Sequence, residues 1–201
     1  YLNLMIIASL MILMALYVFT FPKYKTEEIT GAFFGVCYVP VMLSFLYQTR
    51  EMNDGAYVVW LIFLSSWGCD TCAYCVGMLF GKHKLTPRLS PKKSVEGAVG
   101  GVAGAALLGF LYASVVGGGM DEFSDPRMAC AVGCAIGALI SQVGDLAASA
   151  ITRNHNIKDY GPLIPGHGGF LDRFYSFIFT APALFFAMSF LLCCLFFSGC
   201  S

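Results

Sequence analysis

Long apolar runs separated by short polar breaks set the pattern of this chain. Six runs, at about 2–21, 31–47, 56–80, 97–117, 128–151 and 174–198, approach or exceed the roughly 20 residues an α-helix needs to cross a bilayer. The first lacks the basic start and small-residue cleavage site of a signal peptide, so it is read as a true span. The prediction is an all-α, polytopic membrane bundle of about six helices. No internal repeat or low-complexity linker divides it, which predicts a single transmembrane domain over residues 1–201. Residues 1–55 are generically membrane-like, and the polar chemistry falls within 56–198. Because the sequence starts at Tyr1, further spans are expected upstream.

Composition sharpens this picture. The chain is 58% hydrophobic and only 12% charged, against roughly 25% charged in soluble domains, and its mean hydropathy is +0.73. Twelve basic and twelve acidic residues leave no net charge, so no attraction to nucleic acid is expected. The distribution of charge is more informative than its sum. Placing the breaks on alternate sides puts Lys23, Lys25, Lys82, Lys84, Arg88, Lys92, Lys93, Arg153, Lys158 and Arg173 on one face of the membrane. Only Arg50 and Arg127 fall on the other. Positive charge favours the cytoplasmic side, which predicts a cytoplasmic location for the polar chemistry and outward-facing ends.

Small residues recur four apart in the fourth and fifth runs: Gly97 with Gly101, Gly100 with Gly104, and Gly133 with Gly137. Such pairs let helices approach closely, and a homodimer is compatible with them. Of nine cysteines, Cys37, Cys130, Cys134, Cys193 and Cys194 lie in apolar runs as small hydrophobes. Cys69, Cys72 and Cys75 form a C-x-x-C-x-x-C run without an evident fourth ligand, and helix packing is the expected role.

Three polar segments carry candidate chemistry. In GKHKLTPRLSPKKSVEG, residues 81–97, Ser90-Pro91 reads as a helix cap and first helical position. Lys92 and Lys93 then fall in the first turn, where the dipole disfavours cations. A helix N-terminus with two lysines is a phosphate site; the plainer alternative is a basic loop on anionic headgroups. In QVGDLAASAITRN, residues 142–154, Asp145 stands in an apolar helix, where a carboxylate is costly and usually functional. Ser149 and Thr152 share its face, and Arg153 adds a charge at the helix end. A structural ion pair is the alternative for Asp145, and Asp70 is a weaker case of the same kind. The third segment, KDYGPLIPGHGGFLDRFYS at 158–176, places Pro165-Gly166-His167-Gly168-Gly169 in a turn whose glycines allow close backbone approach to a ligand. Asp172 and Arg173 follow. Mg²⁺ usually binds through one or two carboxylates plus substrate phosphates, and Asp145 and Asp172 could supply them. His167 is more readily a loop hydrogen-bonder than a ligand.

The run Ser149, Arg153, Lys158-Asp159, Pro165-Gly166-His167-Gly168-Gly169, Asp172-Arg173 resembles the signature of the phosphatidate cytidylyltransferase, or CDP-diacylglycerol synthase, family. The upstream Asp70-Thr71 pair, Gly81-Lys82 and Ser90-Pro91-Lys92-Lys93-Ser94-Val95-Glu96-Gly97 are similar to it as well, and the likeness covers roughly 56–198. It implies CMP transfer from CTP to phosphatidate, giving CDP-diacylglycerol and pyrophosphate, with Mg²⁺. By the same resemblance Asp145 and Asp172 hold metal. Lys92, Lys93, Arg153, Lys158 and Arg173 hold phosphates, with Lys158 and Arg173 counted with the aspartates as catalytic. His167, Gly168 and Gly169 form the loop over the nucleotide, and Ser90, Ser149 and Asp159 support it. The compact chain is similar to the bacterial branch, implying a bacterial cell membrane. The family usually has Lys where this chain has Thr152, and Asp where it has Tyr175. The site's net charge is unchanged by the two departures together, but one carboxylate is lost. The other readings are a weakened homologue that binds CTP or lipid phosphate, a transferase for another lipid phosphate, and an ion path through Asp70 and Asp145.

Overall fold

A computed structural model describes residues 2–86, 90–154 and 170–198, without the side chains of 91–92, 152–154, 170–175 and 194–198. Its elements in chain order are α1 (Leu2–Phe19), α2 (Thr26–Val36), α3 (Met42–Arg50), α4 (Gly55–Phe80), β1 (Lys84–Thr86), β2 (Ser90–Ser94), α5 (Val95–Val116), α6 (Pro126–Asn154) and α7 (Phe170–Ser198). Among the described residues six helices are long and apolar enough to cross a membrane: Leu2–Phe19, Thr26–Arg50, Gly55–Phe80, Val95–Gly119, Pro126–Ile151 and Ser176–Cys193. The chain is an integral membrane protein of the polytopic helical class.

The second span begins earlier than its apolar run because its first turn is polar. Glu27 and Glu28 sit there, where the helix dipole favours anions, and Glu28 accepts the Lys25 N–H at 2.9 Å. α2 and α3 are one span interrupted by a π-helical turn, Cys37–Val41, that contains Pro40. Proline has no N–H to donate, and a π turn accommodates that gap.

α4, α5, α6 and α7 form the packed body, with α3 against α7 and α4, while α1 rests on α2. Val58, Leu61 and Ile62 of α4 meet Cys130 and Cys134 of α6 and Phe177, Leu184 and Met188 of α7 in the main core. The Phe177 ring lies edge-on to Phe63 at 5.0 Å and to Trp67 at 5.2 Å.

The paired glycines set the distance between helices. A Cβ on Gly101 would lie 2.9 Å from both the Ala73 Cβ and the Cys69 carbonyl oxygen, and one on Gly97 would lie 3.2 Å from the Gly77 Cα. At Gly133 it would meet the Met188 sulfur at 2.7 Å, and at Gly137 the Ser65 hydroxyl at 2.9 Å. These small faces are therefore spent inside the chain, α5 on α4 and α6 on α7 and α4, so they carry no argument for a dimer.

Cross-links at the two ends agree with alternating spans. At one end Asn53 binds the Glu122 carboxylate, and the Glu122 N–H donates to Asp54 at 3.1 Å. At the other, the β1–β2 hairpin reaches α6 near its C-terminal end through Lys93 and Asp145.

Replacing Gly101 by Val forces backbone apart, since one clashing atom is a carbonyl that cannot rotate away. We expect a loss of about 1–3 kcal/mol, read as a lower unfolding temperature in detergent. Gly31→Ala, where a Cβ meets nothing within 4 Å, should be neutral or slightly stabilising, because Ala is the better helix former. Equal behaviour of the two variants would refute the close-packing role.

Candidate active site

The basic segment after α4 folds differently from its sequence reading. Residues 90–94 are a strand, not the start of a helix: β2 pairs antiparallel with β1, with Lys84 opposite Ser94 and Thr86 opposite Ser90. α5 starts at Val95, and its cap is Ser94, whose Oγ accepts the Gly97 N–H at 3.1 Å. The physical reason is visible in the next residue. A helix capped at Ser94 carries Glu96 in its first turn, which the dipole favours, whereas one capped at Ser90 would carry two lysines there. The expected phosphate site on a free helix N-terminus also falls. Two of the first three N–H groups of α5 are already used, Val95 on the His83 carbonyl at 2.9 Å and Gly97 on Ser94.

Glu96 fastens the hairpin to the helix. Its carboxylate accepts the His83 backbone N–H with both oxygens at 3.2 Å and lies 2.6 Å from His83 Nδ1. Lys93 fastens the hairpin's far strand to α6: its ammonium is ion-paired to Asp145 Oδ2. The two side chains are 31% and 33% exposed, so the pair is more screened than a fully buried one. Ser149, one turn on, donates its O–H to the Asp145 carbonyl at 2.9 Å.

Beneath the hairpin lies a cavity of about 530 Å³, a size typical of small-molecule sites. α4 contributes Asp70, Ala73, Tyr74, Gly77 and Met78, the hairpin Leu85, Ser90, Lys93 and Ser94, α5 Gly97 and Ala98, and α6 Gln142. Gln142 is held across three helices: its amide donates to the Ala98 carbonyl at 2.9 Å and to Cys69 Sγ at 3.2 Å. A cation, a carboxylate and the hydroxyls of Tyr74, Ser90 and Ser94 therefore share a largely apolar chamber.

Of the residues expected from sequence, Ser90, Lys93 and Asp70 line this cavity, and Asp145 and Ser149 stand directly behind Lys93. Lys93 and Asp145, expected to serve phosphate and metal separately, bind each other here. Lys92 lies on β2, Arg153 in the last turn of α6, and Asp172 and Arg173 in the first turn of α7. Their side chains, like those of Thr152 and Tyr175, lie outside the described residues. So do Lys158, Asp159, His167, Gly168 and Gly169. The sequence reading assigned no role to Gln142 or to the His83–Glu96 link. The available signal for Gln142 was an amide three residues before Asp145 in an apolar helix. The link joins residues 13 apart and had no local signature.

The donor chemistry fits a hard divalent cation in one respect. Asp145 offers carboxylate oxygen at the cavity's edge, as Mg²⁺ requires. Among the described residues no group of three or more His, Cys, Asp or Glu is placed to hold a metal.

Comparison with known proteins places this chain in a class. The model of the Cytidylyltransferase family matches residues 1–191, and the chain belongs to that family. Curated relatives named phosphatidate cytidylyltransferase include one from Staphylococcus saprophyticus, 35% identical over 179 residues, and one from Staphylococcus haemolyticus, 34% identical over 179 residues. Another, from Staphylococcus aureus, is 34% identical over 184 residues. In each case 89% of this chain aligns, spanning 66% of the relative, just under two thirds of its length.

Two measurements test this geometry. Lys93→Met leaves the Asp145 carboxylate without its cation and should cost about 1 kcal/mol, the low end for an unpaired polar group, given the exposure. The double variant with Asp145→Asn should recover part of that loss, a coupling of at least about 0.5 kcal/mol; strict additivity would mean that the pair does not form in the membrane. Glu96→Ala should speed amide exchange at His83 and along the hairpin, with Glu96→Gln intermediate because it keeps one acceptor oxygen. Unchanged exchange in both variants would show that Glu96 does not hold the hairpin.

Proposed function

We propose that this protein transfers CMP from CTP to phosphatidate, releasing pyrophosphate and forming CDP-diacylglycerol, at the cytoplasmic side of a bacterial cell membrane. The observation that carries the reading is the meeting of Lys93 and Asp145 beside a chamber of mixed polar and apolar lining, in a chain of the cytidylyltransferase family. We take residues 1–201 as one transmembrane domain, with the catalytic region in 56–198. The cytoplasmic placement rests on the basic residues of the hairpin side.

A phosphate oxygen of the lipid attacks the α-phosphorus of CTP, a new P–O bond forms there, and the bond from the α-phosphorus to its bridging oxygen breaks to release pyrophosphate. The nucleophile is already an anion, so a strong base is not required, and the difficulty is bringing two anions together. Catalysis of this kind is chiefly positioning and charge neutralisation. Lys93 exchanges Asp145 for a substrate phosphate, which frees the Asp145 carboxylate to act as a ligand. Lys92, Arg153, Lys158 and Arg173 supply further positive charge to the phosphates, and Asp172 supplies the second carboxylate. His167, Gly168 and Gly169 cover the nucleotide, and Ser90, Ser149 and Asp159 orient its neighbours. Asp145 and Asp172 would hold Mg²⁺, which would add neutralisation of the phosphate oxygens. Met78, Leu85 and Ala98 supply apolar wall to the chamber.

The test is pyrophosphate release from CTP by the purified protein in mixed micelles. It should need both phosphatidate and Mg²⁺, and fall at least about 100-fold in Asp172→Ala, the scale on which losing one electrostatic stabiliser slows catalysis. Thr152→Lys, Tyr175→Asp and the double variant run alongside. Activity confined to the double variant would assign the natural chain to the weakened homologues. Silence from all of them, with the fold intact, would overturn the reading.

A further inference from the structure

A second cavity opens on the other side of Gln142. Its volume is about 340 Å³, and it lies between α5 and α6, lined by Val102, Ala103 and Ala106 with Leu139. Ala98 and Gln142 border both this groove and the main chamber, so the two cavities are neighbours. Gln142 spends its amide donors on Ala98 and Cys69, leaving the groove's other walls aliphatic.

The dimensions select an occupant. From Ala98 to Ala106 the helix advances eight residues, about 12 Å at 1.5 Å per residue. The hydrocarbon layer of one leaflet is about 15 Å deep, half of a roughly 30 Å core. The groove therefore starts at Ala98 and Gln142, which also line the chamber that holds Lys93, and runs most of a leaflet's depth toward the bilayer centre. A lipid whose phosphate is held at Lys93 has its acyl chains at that start, pointing that way. Ala103 is exposed and Ala106 half-buried, and their small side chains form the floor of the groove.

We infer that the α5–α6 groove holds one acyl chain of the lipid substrate, and that Ala103 and Ala106 determine which chains fit. The inference rests on phosphatidate being that substrate. Because the chain moves from lipid to groove without leaving an apolar medium, it gains no hydrophobic transfer energy, and the discrimination comes from packing alone. It acts on chain length and shape, not on CTP.

The experiment uses the full chain in phosphatidylcholine nanodiscs with a phosphatidate carrying a photoactivatable diazirine midway along one acyl chain. Attachment sites are mapped by mass spectrometry, which requires no turnover. We expect labelling of residues 99–106 and Leu139 that unlabelled phosphatidate suppresses and further phosphatidylcholine does not. Ala106→Phe should lower that labelling by about threefold, the loss of a handful of van der Waals contacts. Ala103→Leu is a second variant on the lipid-facing surface should the first fail to fold. Labelling suppressed equally by phosphatidylcholine would make the groove ordinary lipid-facing surface and overturn the inference. Phosphatidate-specific labelling elsewhere would overturn it while leaving the proposed reaction standing. No phosphatidate-specific labelling anywhere would remove the inference and its substrate together.

Discussion

The ion pair between Lys93 and Asp145 is the constraint around which the polar end of this molecule is arranged. A carboxylate in an apolar helix is tolerated only with a partner, and the partner comes from a hairpin more than fifty positions earlier in the chain. To deliver it, the chain leaves α4, forms two short strands and enters α5 from a cap at Ser94. Glu96 holds one side of that hairpin and Asp145 the other. The cavity beneath exists because the hairpin is fixed at both places. About a third of each side chain is exposed, so the pair is not sealed in the core, as the proposed exchange with a phosphate and a cation requires.

Close packing below the pair gives the site its rigidity. α4 and α5 approach until a methyl group on Gly97 or Gly101 would collide with backbone, and α6 is gripped from both sides through Gly133 and Gly137. In a bilayer this is how helices gain affinity, since apolar side chains are no better off against each other than against lipid. The glycines therefore act at a distance on the chemistry. They set where Asp70, Gln142 and Asp145 stand relative to one another.

Much of this was legible in the sequence because membranes simplify the code. A run of about twenty apolar residues has few alternatives to a spanning helix, and the six expected spans correspond to six observed ones. Asp145 stood out because a charge in such a run is costly, and the glycine pairs because their spacing matches a helix face. The failures came where local rules compete with distant partners. Ser90-Pro91 has the form of a helix start, but pairing of 84–86 with 90–94 and the better cap at Ser94 override it. The second span began at Thr26 rather than at its apolar run because a polar first turn adds nothing to hydropathy. His83 and Glu96 bear no local mark of their contact. Residues of a cavity wall such as Tyr74 and Gln142 become a set only when three helices meet.

The most direct measurement is the structure of the protein with a non-hydrolysable CTP analogue and Mg²⁺ bound. Lys93 Nζ should then have left Asp145 for a phosphate oxygen, with the Asp145 carboxylate turned to the metal and the nucleotide phosphates at the mouth of the α4–α5–α6 chamber. An intact Lys93–Asp145 pair, with the nucleotide held elsewhere, would contradict the role assigned to both residues.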